Sequence, residues 1–495
     1  MAGYMLIPVL LGLATATISD ADENFDVRRH LSTSTRYGVV KDIANNSFVP
    51  SEIPDHCTPI HLNLVARHGT RAPTKKKMKE FDELASRLKH LLQDAKEQNQ
   101  SSDKVPTWFL EWKSPWKGNF TDGELIHEGE DDMYNLGIRI KEKFPELFHE
   151  DYHPDRYTIK ATQVARASAS AVAFGMGLFS GKGKLGPGRH RAFAVISESR
   201  ANDTMLRFHE CCQKYKVFKK RHEPEVDKLK EPILDKITGA LVERYGINFT
   251  RKDTSSLWNL CKHEASLLEI TNQACGLFSP SEVDFLEWTD DLEIFILKGY
   301  GSSLNYRMGV PLLQDVIQSM EKAIKVKEGS VPGSYEKARM RFAHAETLLP
   351  FSCLLGLFLE EPEFELIQRN EYLPHPPKPP EERIWRGSIV APFAGNNILV
   401  LYSCKEAPDN NTSQYFVHVQ HNEYPVSMPG CNNSYFCPFE VFKQEIIAPH
   451  LKHNYDALCN VGVEQSQNKH GCGTIGEQGR TCHSSENTCG TSRIS

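Results

Sequence analysis

Residues 60–66 (Ile-His-Leu-Asn-Leu-Val-Ala) constrain this chain most: they alternate, then become wholly apolar, and stop at Arg67-His68-Gly69-Thr70-Arg71. A period-two pattern that turns continuously apolar describes a strand entering a core buried on both faces. The charges that follow at once have to sit where that strand leaves the core. In open α/β sheets this place, beyond the carboxyl ends of the strands, is where ligand crevices form. The rest of the chain is compatible with such a core. It has 495 residues, 40% hydrophobic and 9% aromatic, enough to bury a large interior and too apolar for global disorder. Its 58 basic and 64 acidic residues give a net charge of −6, so no overall positive field recommends nucleic acid as a partner.

Further elements follow from periodicity. Residues 75–100 place apolar side chains at Met78, Phe81, Leu84, Leu88, Leu91 and Leu92, the spacing of one long amphipathic helix. Helical patterns also cover 130–143, 163–179 and 347–359, and short strands are expected at 157–160, 191–196, 340–343, 388–393, 398–403 and 415–420. Between about 205 and 330 the chain is charged and helix-patterned without a strand. Residues 20–49 read as an extended lead-in and 374–380 as a proline-rich loop. The expected architecture is α/β: a mixed, mostly parallel central sheet flanked by helices, an inserted smaller all-helical lobe, and the active site between the two. The core would comprise 50–204 and 331–460, the lobe 205–330, and a flexible tail 461–495.

The first residues suggest a compartment. The apolar run 6–14 closing in Ala14-Thr15-Ala16 is too short to span a bilayer and reads as a secretory signal within residues 1–21. Glycosylation sequons, among them those at Asn45, Asn119, Asn202, Asn248, Asn410, Asn411 and Asn432, exceed the roughly three expected by chance. Thirteen cysteines, with Cys261/Cys275 and Cys431/Cys437 spaced for local bridges, agree with an oxidising route. The expectation is a protein that is secreted or held in an endomembrane lumen, monomeric and not membrane-bound after signal cleavage. Two motifs are set aside. Gly181-x-Gly183-x-x-Gly186 lacks the strand-to-helix setting of a dinucleotide fingerprint and reads as a turn, and Cys211, Cys212 and Cys261 near histidines read as disulfide chemistry instead of metal ligation.

The chemistry concentrates at 67–73. Arginine suits bidentate binding of phosphate oxygens, and an imidazole kept neutral by neighbouring positive charge can attack phosphorus. Gly69 would leave room for a phosphate to approach the backbone. Arg67-His-Gly-x-Arg-x-Pro73 resembles the signature of the histidine acid phosphatases. With His344-Ala345-Glu346 at a second strand end, and Arg166 in a small-residue helix, the chain looks most like their multiple inositol polyphosphate phosphatase branch. The resemblance runs from about 55 to 460. It implies a metal-independent, cofactor-free phosphomonoesterase acting on inositol polyphosphates such as phytate. His68 would form a phosphohistidine, and Glu346 would protonate the leaving oxygen and then activate water, which implies an acidic working pH. Arg67, Arg71, Arg166 and His344 would hold the phosphoryl oxygens. It also implies that Cys57, ten residues before Arg67, is bridged to a distant cysteine, with Cys404 the candidate. Thr74, Lys75 and Lys77 would add a basic rim at a helix start that favours a polyphosphate. The alternatives are a broad-specificity acid phosphatase, a bisphosphoglycerate phosphatase, or a catalytically silent phosphate-binding glycoprotein.

Overall fold

The computed structural model describes residues 25–45, 53–97, 104–116, 118, 122–330, 336–369, 371, 373–405 and 413–460; residues 1–21, expected as a signal, and 461–495, expected as a tail, lie outside them. Seven strands form one sheet: β1 Cys57–Arg67, β2 Tyr157–Ala161, β3 Ala338–Ala343, β4 Asn396–Lys405, β5 Ser413–His421, β6 Tyr424–Pro425 and β7 Phe436–Pro438. Their order is β2-β3-β1-β4-β5-β6, with β7 also against β5. β1 is central. It runs parallel to β3 (Leu62 opposite Ala338) and antiparallel to β4 (Leu62 opposite Val400).

The sheet is mixed, as expected, but its parallel part is the smaller one. β1·β3 and β2·β3 are parallel, whereas β1·β4, β4·β5, β5·β6 and β5·β7 are antiparallel. The cause is connection length. The chain turns straight back from Lys405 to Ser413, and so short a link can join only antiparallel neighbours. Strands β2 and β3, by contrast, each deliver the chain into a helix (Ala165–Leu178 and Ala345–Leu354) and keep their carboxyl ends beside that of β1.

Both faces of β1 are covered. Leu62, Leu64 and Ala66 belong to a cluster with Phe174, Met340 and Phe342 on one side. On the other face His61 and Asn63 are buried, and buried polar groups require partners. The His61 imidazole lies 2.9 Å from Ser319 Oγ, and Asn63 Oδ1 accepts from Ser319 Oγ (3.1 Å) and Arg341 Nη1 (2.9 Å). Ser319 lies on the helix Val310–Lys327, which packs on the sheet.

We number the helices used below α1 Tyr37–Asn45, α2 Lys75–Glu97, α3 His127–Lys143, α4 Ala165–Leu178, α5 Phe208–Cys211, α6 Gln213–Tyr245, α7 Arg251–Leu267, α8 Pro280–Lys298, α9 Val310–Lys327 and α10 Ala345–Leu354; shorter turns stay unlabelled. Local chemistry sets their ends. Capping boxes start α7 (Thr250, Asp253) and α8 (Ser279, Glu282), and Gly246, at φ 65°, closes α6. The apolar face of α2 (Phe81, Leu84, Leu88) packs with α7 residues Leu257, Trp258 and Leu260.

Three local expectations are corrected. Residues 191–196 form no strand: only Ile196 bridges, to Lys160, and most of the segment is exposed beyond the β2 edge. In place of a strand at 388–393, Gly387–Val390 is a helical turn, because Asp291 Oδ1 accepts from Gly387 N (2.8 Å) and Glu287 Oε1 from the Ser388 hydroxyl (2.8 Å). The lead-in is not extended either. Val27–His30 and Ser32–Ser34 are helical turns and α1 follows them, pinned where Ser32 Oγ donates to Asp291 (3.0 Å) and Arg386 Nη2 to Arg29 O (3.0 Å). The glycine run at 181–186 is a turn, closed by a bridge from Leu185 to His190.

Among the described residues four disulfides are formed. Cys57–Cys404 crosses the β1/β4 register, and Cys261–Cys275 and Cys431–Cys437 are the local pairs. The fourth, Cys212–Cys459, joins the start of α6 to residues 247 positions away and had no signal in spacing. Cys211 is buried, and Cys353 is buried and unbridged. Such bridges persist in the oxidising compartments of the secretory route. Among the described residues no helix is long and apolar enough to cross a membrane.

Candidate active site

The site is built where β1 and β3 end together. His68 N donates to Ala343 O (3.0 Å) and Ala394 N to His68 O (3.0 Å), the last sheet-like bonds before the chain turns away. Residue 344 N-caps α10, which places Glu346 in that helix's first turn. Gly69 serves a different end from the one expected. A Cβ there would stand 2.2 Å from Gly129 O of α3, and one on Gly129 would stand 2.2 Å from Thr70 O. Two backbones meet face to face, and the glycines permit that contact instead of opening the loop to a ligand.

His68 is buried at 2% exposure, with Nδ1 2.8 Å from Gly69 O. A carbonyl only accepts, so the proton resides on Nδ1 and Nε2 keeps its lone pair. Burial, then Arg67, His344, Arg166 and Arg71, hold the imidazole well below its usual value, hence neutral. The His344 ring stands edge-on to it, 5.4 Å between centroids. Burial first, then Arg166, lowers His344 to about 3. Arg166 Nη2 donates to His344 Nδ1 at 3.5 Å, which leaves the proton on His344 Nε2, a buried donor without a partner.

The guanidiniums are half-anchored in the same way. Arg67 Nη1 donates to Thr33 O (2.5 Å) and Ala391 O (2.7 Å), and its guanidinium lies over the Phe393 ring. Arg71 Nη1 donates to Ala72 O (2.8 Å). The Nε groups of Arg67, Arg71, Arg166 and Arg207 are buried with no partner. Arg67, Arg71 and Arg166 act on the His68 imidazole and Arg207 on His344; unmade buried donors are costly, and such a set has the chemistry to bind a multiply charged oxyanion. Burial lowers Arg67 to about 9 and Arg166 to about 10, and both stay charged at physiological pH. Gly123, at φ +62°, takes a backbone conformation that favours glycine, and a Cβ there would meet Arg71 and Arg166 Nη1 at 3.5 and 3.6 Å, in ordinary contact.

Glu346 lies within electrostatic reach of Arg67, Arg71 and Arg166, so it shares their pocket. Its partner is Lys298 at the end of α8, Nζ to Oε1 2.9 Å. The Lys298 ammonium holds this carboxyl well below the usual carboxylate range, against burial, with His209 and His344 adding to the effect. His209, lowered to about 4 chiefly by burial, presents an unpartnered buried Nδ1 in the same pocket. Sequence reasoning missed Lys298, Arg207 and His209. The last stands beside Cys211 and Cys212, in the motif read as disulfide chemistry.

A cleft of about 660 Å³ is lined by Thr74, Arg166, Arg207, His209, His344 and Glu346, with Lys216, Lys219 and Lys220 and the acidic Asp122, Glu210 and Glu223 along its wall. Thr74 Oγ1 accepts from Lys77 N (3.4 Å). The Lys75 side chain is exposed, and its backbone N donates to Asp122 Oδ1 (2.9 Å). Lys77 pairs with Glu80 (2.8 Å) and borders a neighbouring cleft, so its ammonium is drawn away from the imidazole. Outside the cleft, His30, Asp284 and Glu287 have the spacing of a metal site, yet Arg383 and Arg386 Nη2 already contact Glu287 at 2.9 Å. A cation there would meet like charge.

The sequence profile of the histidine phosphatase superfamily (branch 2) matches residues 60–422. Multiple inositol polyphosphate phosphatase 1 of Gallus gallus is 27% identical over 85% of this chain and 88% of its own, and that of Homo sapiens 28% identical over 76% and 78%. Among solved structures, a phytase from D. castellii superposes with a TM-score of 0.64 at 18% identity, covering 91% of this chain and 92% of that one. The Bifidobacterium longum multiple inositol polyphosphate phosphatase, in complex with inositol hexasulfate, gives 0.60 at 17% identity over 85% and 98%. At these identities the structural matches speak to the fold.

Proposed function

The chain belongs to the histidine phosphatase superfamily, branch 2, and from that premise we propose that it hydrolyses inositol polyphosphates through a phosphohistidine. One observation carries the reading: a neutral buried imidazole with a bare Nε2, ringed by unpartnered guanidinium donors. His68 Nε2 bonds to phosphorus as the P–O bond to inositol breaks. The departing oxygen keeps the electron pair and takes a proton from Glu346. Water then attacks phosphorus, its proton passes to Glu346, and the P–N bond opens to release phosphate. Arg67, Arg71, Arg166 and the His344 Nε2–H hold the phosphoryl oxygens, and Arg207 is positioned to join them.

The substrate class rests on the wall of the cleft. Lys216 and Lys220 add positive charge along that wall, where Lys219 is paired with Glu223 (3.6 Å), and this suits a ring bearing several phosphates better than a simple monoester. The secretory route suggested by the disulfides is refined in this reading to secretion or residence in an endomembrane lumen. The test is phosphate release from phytate and from an aryl phosphate by the parent and His68→Ala. Release from phytate in preference to the aryl ester, abolished in His68→Ala, is the expected result. Appreciable phytate hydrolysis by His68→Ala would refute the nucleophile.

A further inference from the structure

Lys298 approaches Glu346 from behind. Its side chain borders a second cleft of about 380 Å³ with Asp290 and Glu293, whereas Glu346 borders the cleft lined by Arg166 and Arg207. The 2.9 Å ion pair passes through the wall between them. A carboxyl group meant to donate a proton is thus held, in the empty site, by an ammonium that favours its ionised form. The surroundings show how the hold can ease. On the Lys298 side, Glu293 is a second carboxylate within electrostatic reach, itself paired with Lys230 of α6, and Lys262 lies farther off. On the Glu346 side the cationic or protonatable neighbours are His209 and His344 nearest and Arg67, Arg71 and Arg166 beyond, while Tyr215 and the carboxylates of Asp122, Glu210 and Glu223 line the same cleft. Filling the first cleft with an anion would neutralise those cationic neighbours and leave Lys298 alone opposing protonation.

We propose that Lys298 is a positioning residue that anchors Glu346 as a carboxylate in the empty cleft and yields when a phosphorylated ligand enters, so that ligand binding draws one proton from solvent onto Glu346. The inference rests on the hydrolase reading and deepens it: the acid is loaded by its own substrate. No other bond changes in this step. The proton comes from water or buffer, and the ammonium keeps its charge with Glu293 within reach.

Inositol hexasulfate is a suitable probe because its sulfates do not titrate, so protons taken up on binding go to the protein. Calorimetry at about pH 5.5 in two buffers of different ionisation heat counts them. The parent should take up close to one proton, Glu346→Gln almost none, and Lys298→Met clearly less than the parent, while Lys298→Arg, which keeps the charge and guards against misfolding of the methionine variant, should resemble the parent. In parallel, the alkaline limb of the kcat/KM profile for phytate should move up by about 1–3 pH units in Lys298→Met. A loss of packing or of substrate affinity alone would not move that limb. Equal proton uptake in parent and Lys298→Met, an unmoved limb, or full uptake in Glu346→Gln overturns the proposal. With His68→Ala inactive, those outcomes leave the hydrolase reading standing; an active His68→Ala strikes that reading instead.

Discussion

Gly129→Ala is the sharpest structural test of how the catalytic loop is held. A Cβ built on Gly129 lies 2.2 Å from Thr70 O, 2.5 Å from Thr70 N and 2.8 Å from Leu125 Cδ1. Ordinary carbon contacts begin at about 3.5 Å, so more than 1 Å must be recovered. The obstructing atoms are backbone, and a rotamer change cannot relieve them. Thr70 is also tied in place: Ile126 N donates to its carbonyl (3.2 Å) and its hydroxyl to Asp132 (3.2 Å). Either the first turn of α3 or the loop 68–71 has to move. Overpacking of this kind costs about 1–3 kcal/mol. A displacement of about 1 Å at His68 and Arg71 would lower kcat/KM about a hundredfold. Steady-state kinetics on phytate and thermal unfolding of the same variant read both quantities. Gly239→Ala is the control: it lies within α6 with nothing within 4 Å, and should stabilise by up to about 1 kcal/mol without touching activity. A Gly129→Ala enzyme within about threefold of the parent, with an unchanged melting temperature, would refute the argument that the two glycine backbones set the loop.

Two further expectations concern buried charge. Arg341 is fully buried and relies on Asp315 and Asn63, so Asp315→Asn should cost about 3–5 kcal/mol in denaturant unfolding. Asp315 sits below its usual value because Arg341 and Arg339 outweigh burial, so its contribution is complete above the unfolded carboxyl range and fades as pH falls below about 4; a loss confined to alkaline pH would contradict the assignment. The buried histidines act in a different pH window. His61, His418 and His421 are lowered to about 4 and His450 to about 3, each mainly by burial. Below pH 6.5 the unfolded chain binds protons that the folded one refuses, so the melting temperature should fall between pH 6.5 and 4; a flat profile there would show these rings charged in the fold.

The parts of the site that sequence made legible are those fixed by strand ends. Arg67 and His68 follow a strand whose apolar pattern is unmistakable, and His344 and Glu346 follow another, so their convergence needed only that β1 and β3 be neighbours. Lys298 and His209 gave no such signal. Lys298 is one lysine at a helix end, and only the packing of α8 against the sheet domain brings it to Glu346. His209 sits in a four-residue helical turn whose direction no periodicity encodes. The segment 388–393 was misread for a related reason: its apolar residues look strand-like, but Glu287 and Asp291, about a hundred positions earlier, capture its backbone and hydroxyl. Gly69 was read as room for a ligand because the backbone it meets, at Gly129, is sixty residues away in sequence.

The register of the central strand also governs how the protein can be made. Leu62 pairs with Ala338 on one side and Val400 on the other. A ribosome adding about 5–20 residues each second needs roughly 15–55 s to produce the first of those neighbours after β1 has been synthesised. Throughout that interval an apolar segment with two open edges is present without its lattice of hydrogen bonds, and the nucleophile stands apart from every group that would tune it. Activity therefore arises late and all at once, and a chain cut short before residue 400 should inherit the hazard of a sticky strand with none of the catalysis.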